Sequence, residues 1–99
     1  MIQSFRDAGI RDVFDGVDSR AARATCPQDL WPVARRKLDY LARASELRDL
    51  RAPPGNRLES LKGDRQGQYA IRINAQYRIC FVWTTEGARN VEITDYHAS

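Results

Sequence analysis

The chain has 99 residues, which suits a single domain with one hydrophobic core and is too short for two. Hydrophobic residues make up 42% and charged residues 29%, a balance typical of a folded globular protein and not of a disordered segment. No apolar run approaches the roughly 18–20 residues that a membrane-spanning helix needs. The charged N-terminus lacks the apolar stretch of a secretory signal peptide. We therefore predict a cytoplasmic protein that does not bind a membrane.

Cysteine and histidine are scarce, which bears on metal and redox chemistry. Cys26 and Cys80 form no CxxC pair, and His97 is the single histidine. Structural metal sites in small proteins need several Cys or His ligands at close spacing. We therefore predict no metal, no other cofactor, and two free thiols in a reducing compartment.

The basic residues are mostly arginine and are concentrated in one segment. Of the 16 basic residues, 14 are Arg, whose planar guanidinium binds phosphate through two hydrogen bonds and stacks on bases. Codon bias alone would also produce many arginines. However, residues 51–78 hold six basic and two acidic residues, a net charge of +4 that exceeds the +3 of the whole chain. This segment is therefore predicted to bind a polyanion.

The N-terminal half of the chain is predicted to be helical. Asp7 is a suitable N-cap for a short helix in which Ile10, Val13 and Phe14 share one face. Gly16 suits the left-handed residue that ends such a helix.

A longer helix is predicted next, with its N-cap at Asp29, because Pro32 is tolerated only in the first turn. Residues 1–5 favour a short strand, and residues 20–25 a further helical turn. The prolines and glycine at 53–55 break the helical part. Helical spacing defines the stripe that the longer helix should bury: Leu30, Ala34, Leu38 and Leu41.

Beyond this break the pattern changes to the alternation that is typical of strands. Residues 68–74 and 77–83 alternate in polarity and are joined by a short connection, so they should form an antiparallel hairpin at the centre of a sheet. Residues 90–94 are a third strand. We therefore predict an α+β domain with the helices packed on one face of a small antiparallel sheet. Arg72 and Arg78 should then point to the opposite face.

Several motifs of this sequence, taken together, resemble the HigB toxin family, a branch of the RelE superfamily. Residues 57–65 read RLESLKGDR, residues 71–74 IRIN, residues 76–81 QYRICF, and residues 95–97 DYH. The similarity extends to MIQSFRD at the start of the chain, to RKLD at 36–39 and to PPGNRL at 53–58. Each motif alone is weak, whereas their combination in order is specific.

The resemblance implies a fold and an activity. The expected fold is RelE-like, with one toxin domain over residues 1–99. The expected activity is endonucleolytic cleavage of mRNA on the ribosome, and the expected partner is a HigA-type antitoxin with a helix-turn-helix domain.

The residues present can be assigned roles in such a reaction. RNA cleavage through the 2′-hydroxyl needs a base, an acid and cations around the phosphorane. We expect Glu59 to be the base, although several HigB proteins carry His there, and His97 to be the acid, because an imidazole titrates near neutral pH. The remaining candidates are catalytic Lys62, Arg78 and Tyr96, and substrate-binding Arg65, Arg72, Asn74 and Asp95. Asn74 departs from relatives that have Arg at this position.

Other interpretations of the same residues stay open. Glu59 and the two strand arginines could be ordinary solvated side chains. The chain could also be a catalytically inactive RelE-like module that only binds its antitoxin, since a fold does not fix a function. A DNA-binding regulator is disfavoured because no arginine-rich helix follows a helix-turn-helix turn.

Overall fold

Residues 1–95 of the chain are described by the structure, a computed structural model, so the candidates Tyr96 and His97 lie outside the described residues. Within this range, helices precede an antiparallel sheet whose four strands are ordered as in the chain. This arrangement confirms the predicted α+β class. The helices are α1 (Ala8–Asp15), α2 (Arg20–Thr25) and α3 (Trp31–Arg43), and the strands are β1 (Glu59–Ser60), β2 (Tyr69–Arg72), β3 (Tyr77–Thr84) and β4 (Gly87–Asp95).

Local signals determine the ends of α1 as predicted. The Asp7 carboxylate accepts a hydrogen bond from the backbone N–H of Ile10 at 3.1 Å, which satisfies one of the unpaired donors at the helix start. Gly16 ends the helix with φ of 77°, a left-handed conformation that costs glycine little. Residues 20–25 form the predicted additional helix, which Ser19 caps.

The start of α3 differs from the prediction. Asp29 is not the N-cap, because residues 28–30 already form a 3₁₀ turn that continues into the helix through Leu30. Leu30 is only half-buried. The rest of the predicted stripe is correct, since Ala34, Leu38 and Leu41 are all fully buried.

The hairpin of β2 and β3 lies at the centre of the sheet, as predicted. β4 is longer than expected and pairs with β3 along its whole length, with one bulge. The N-terminal residues do not form the predicted strand. They make two isolated parallel bridges to β4, at Ile2 and Phe5. Gly87 permits this approach, because a Cβ there would collide with the carbonyl of Met1.

One core lies between the helices and the sheet. Leu38 packs there with Ile71, Ile79 and Phe81, which are fully buried. Each of these strand residues alternates with a neighbour on the other face of the sheet. The helices α1 to α3 therefore cover one face and leave the other face, which carries Arg72 and Arg78, free of these helices. No helix within residues 1–95 is long and apolar enough to cross a membrane.

Both cysteines are buried free thiols, as expected. Burial, with a smaller contribution from Asp29, raises the pKa of Cys26 to about 11. Burial also raises the pKa of Cys80. Both side chains therefore remain protonated at neutral pH and are poor nucleophiles.

Candidate active site

The face of the sheet opposite the helices is here called the open face. The strand register aligns its side chains in two neighbouring rows, and each row contains charged residues. One row runs across all four strands, from Glu59 through Ala70 and Cys80 to Glu92. The neighbouring row joins Arg72, Arg78 and Thr94. Because directly paired residues share a face, the open face brings together three of the predicted site residues, Glu59, Arg72 and Arg78.

Arg72 and Arg78 are direct cross-strand partners at the turn end of the hairpin. Directly opposed residues have Cβ atoms about 4.5–5.5 Å apart, and like charges at this spacing destabilise a sheet. The Arg78 guanidinium donates a 2.6 Å hydrogen bond to the carbonyl of Asn74, which turns it towards the hairpin loop. The pair concentrates positive charge in a small region.

Glu59 lies on the edge strand and is exposed. Its partner Ala70 is two residues from Arg72 on β2, so Glu59 is a diagonal neighbour of Arg72. Diagonal neighbours in an antiparallel sheet are generally about 7–8 Å apart, and their Cβ atoms are somewhat closer. A phosphate bound by the arginines would therefore be within reach of the carboxylate. A groove of about 420 Å³ runs beside Glu59, with Leu47, Arg51 and Tyr69 among its lining residues.

The segment after β1, residues 61–65, folds over part of the open face. Leu61 is buried against Ala70 and Cys80. Lys62 follows and is exposed. Arg65 reaches across the sheet to Glu92 at 3.0 Å and to the hydroxyl of Thr94, the cross-strand partner of Arg78, at 3.4 Å. Its guanidinium is therefore engaged in an intramolecular ion pair next to the row that holds Arg78.

Glu92 is the centre of a charged cluster that sequence reasoning missed. Its carboxylate accepts hydrogen bonds from Thr94 at 2.7 Å, Arg6 at 2.6 Å and Arg65 at 3.0 Å. Burial by itself would raise the pKa of Glu92. The hydrogen bonds outweigh that effect and hold the pKa below its usual range. The cluster joins the N-terminal segment, β4 and the 61–65 segment.

Replacing Glu92 by Gln is expected to lower the free energy of unfolding at neutral pH by about 1–2 kcal/mol, because a charged acceptor with three donors is lost. A carboxylate whose pKa is depressed in the folded state stabilises the fold above its unfolded pKa, and this stabilisation disappears as pH falls through the folded value. The difference in the free energy of unfolding between wild type and Glu92→Gln should therefore shrink below about pH 4. Urea unfolding across this pH range measures that difference, and the exposed Glu86→Gln variant is the control. A difference that persists undiminished at low pH would contradict the assignment.

Two other predicted substrate ligands have structural contacts. The Asn74 side-chain oxygen accepts hydrogen bonds from the backbone N–H groups of Gln76 and Tyr77, at 2.9 and 2.7 Å, and so shapes the hairpin turn. Asp95 pairs with Tyr77, on the face opposite to Arg78, and accepts a 2.9 Å hydrogen bond from the Gln76 side chain.

The signal that could have revealed Glu92 is alternation. It lies between Val91 and Ile93, so its side chain had to face away from the core. A larger cavity, of about 480 Å³, lies between α1 and α2 and contains none of the candidate residues.

The sequence is similar to known toxins over nearly its whole length. The family model described as "RelE-like toxin of type II toxin-antitoxin system HigB" matches residues 3–97. The chain is 37% identical over 90 residues to Toxin HigB-1 of Vibrio cholerae serotype O1, covering 91% of this chain and 92% of that protein. It is 33% identical over 98 residues to Endoribonuclease HigB of Proteus vulgaris, covering 98% and 100%. The chain therefore belongs to the HigB family of RelE-like toxins of type II toxin–antitoxin systems.

Proposed function

We propose that the protein is an endoribonuclease that cleaves mRNA on the ribosome, as the toxin of a toxin–antitoxin pair. The observation that carries this proposal is the cross-strand pair Arg72–Arg78 with Glu59 beside it. A full-length relative that bears the name endoribonuclease supports the same activity.

Binding of an anion would explain why two arginines lie directly opposite each other in the sheet. Like charges directly opposite each other destabilise a sheet, so folding alone does not favour them. A bound phosphate would reverse the sign of this interaction, because each guanidinium can donate two hydrogen bonds to phosphate oxygens. Arginine also binds RNA bases by stacking, which lysine does not do.

The proposed reaction needs no metal. Glu59 removes the proton of a ribose 2′-hydroxyl, whose oxygen attacks the adjacent phosphorus. Arg72, Arg78 and Lys62 stabilise the charge that develops on the phosphorane. The bond to the 5′-oxygen then breaks, His97 protonates that oxygen, and a 2′,3′-cyclic phosphate remains. Tyr96 and Asp95 orient His97 or bind the substrate.

The proposal also covers the protein's partner and its location in the cell. A type II toxin requires an antitoxin, and we propose one of the HigA type with a helix-turn-helix domain. Cleavage of translated mRNA places the protein in the cytoplasm. A neighbouring open reading frame for a small helix-turn-helix protein would support this partner.

Glu59→Gln tests the base. The amide keeps the size of the side chain but cannot take up a proton, so cleavage of ribosome-bound mRNA should slow by about 10²-fold. Rates are measured with programmed ribosomes under single-turnover conditions, with Glu86→Gln as the control for loss of an exposed carboxylate. A Glu59→Gln rate within about threefold of wild type would exclude Glu59 as the base.

The alternative is a catalytically inactive RelE-like module that binds its antitoxin. The two functions differ in their effect on cells. Expression of an active nuclease should arrest growth and shorten translated mRNAs, whereas an inactive module should do neither and still bind the antitoxin.

A further inference from the structure

One lysine of α3 is buried, which is unusual for this side chain. Lys37 is only 8% exposed, and its ammonium donates a 2.6 Å hydrogen bond to the side-chain oxygen of Asn56. Lys37 and Asn56 are the buried polar residues of the part of the chain that the structure describes. The mechanism proposed above uses neither of them.

Asn56 connects Lys37 to the segment that leads into the site. Its side-chain N–H groups donate hydrogen bonds to the carbonyls of Leu50 and Ala52, both at 3.2 Å, and the residue is fully buried. Its backbone N–H donates to Pro53 at 3.0 Å. The amide side chain of Asn56 therefore joins Lys37 of α3 to the backbone of Leu50 and Ala52.

The position of Glu59 depends on this segment. Arg57 adopts a left-handed φ of 47°, Leu58 packs against the core, and Glu59 begins β1. β1 has only two ladder partners on β2, with one further backbone hydrogen bond from Leu61 to Gln68. An edge strand of two residues has too few hydrogen bonds to fix its own position in the sheet. The position of β1 therefore depends on the residues that precede it.

A buried positive charge at position 37 costs free energy, which a neutral side chain making the same contact would not. Burial lowers the pKa of Lys37, and the positive charges of Arg36 and Arg72 lower it further. The ammonium therefore lies close enough to Arg72, one member of the arginine pair, for their charges to interact. A neutral hydrogen-bond donor would connect α3 to Asn56 without either penalty.

We propose that Lys37 and Asn56 are positioning residues, which hold Glu59 beside the Arg72–Arg78 pair through residues 50–58. The catalytic part of this inference rests on the proposed function, because it assumes that Glu59 acts in cleavage. The positional part does not, since it concerns only where β1 lies.

Amide hydrogen exchange tests the positional part in the free protein. Lys37→Met should accelerate exchange of the Leu61 amide by at least about tenfold, while amides in the β3–β4 ladder change far less. Arg43→Met, on the same helix but exposed, is the matched control. Asn56→Asp keeps the oxygen that Lys37 contacts and loses the N–H groups, so it should have the same effect as Lys37→Met. Exchange at Leu61 unchanged in both variants would overturn the proposal.

Cleavage kinetics test the catalytic part. Lys37→Met should lower kcat by about tenfold and change KM less than about twofold, because substrate binding by the arginines is retained. In a Glu59→Gln background, Lys37→Met should cause little further loss, since both changes act on one group. A full additional loss in that background would overturn the positioning role. If Glu59→Gln alone retains the wild-type rate, the proposed base is wrong, and hydrogen exchange still decides whether Lys37 positions β1.

Discussion

Arg78→Ala is expected to lower the rate of mRNA cleavage by about 10³-fold and to abolish growth arrest on expression. Removing one donor that stabilises transition-state charge costs about 10²–10³-fold in other enzymes, and here the loss also removes one half of the Arg72–Arg78 pair. Arg78→Lys should recover little of the rate, because an ammonium cannot donate two parallel hydrogen bonds to a phosphate. Single-turnover cleavage of ribosome-bound mRNA measures the effect.

The control for this substitution has to separate catalysis from folding. Arg78 also donates a hydrogen bond to the carbonyl of Asn74 in the hairpin turn, so its loss can weaken the turn. Thermal unfolding and antitoxin binding of the variant show whether the fold survives. Arg89→Ala removes an exposed arginine from β4 and should cleave at nearly the wild-type rate. A folded Arg78→Ala protein that cleaves within about tenfold of wild type would be incompatible with the proposed mechanism.

His97→Ala is the second substitution with a large expected effect. General acid catalysis contributes about 10²–10⁴-fold, so the cleavage rate should fall by two orders of magnitude or more. Antitoxin binding should stay intact, because the substitution shortens a single side chain. In wild type, the rate should fall with rising pH as the imidazolium loses its proton. This limb of the pH profile should be absent from His97→Ala.

A rescue experiment tests specifically whether His97 acts as the proton donor. Imidazole added to the His97→Ala protein should restore part of the rate, and more of it at lower pH where imidazolium predominates. The Arg78→Ala protein should not respond to imidazole. A His97→Ala protein with the wild-type rate and pH profile would remove His97 from the mechanism and leave the acid to be sought elsewhere.

Much of the fold was determined by short-range signals in the sequence. Asp7 and Gly16 mark the ends of α1 because capping depends on a few neighbouring backbone groups. Alternation along β2 and β3 predicted their faces, because successive side chains of any strand point to opposite sides. For that reason the alternation alone was enough to assign Arg72 and Arg78 to the open face.

Long-range contacts decided the rest. Asp29 is a suitable N-cap by its residue type, yet a 3₁₀ turn enters α3 directly and removes the need for one. Arg65 pairs with Glu92, 27 residues further along the chain, and no local pattern indicated this contact. Lys37 is buried beside the predicted stripe of α3, and no local pattern predicted Asn56 as its partner. Residue types and periodicity therefore determined the elements and their faces, whereas the tertiary structure decided which charged groups neutralise one another, because charge pairing depends on distances that only the packed chain defines.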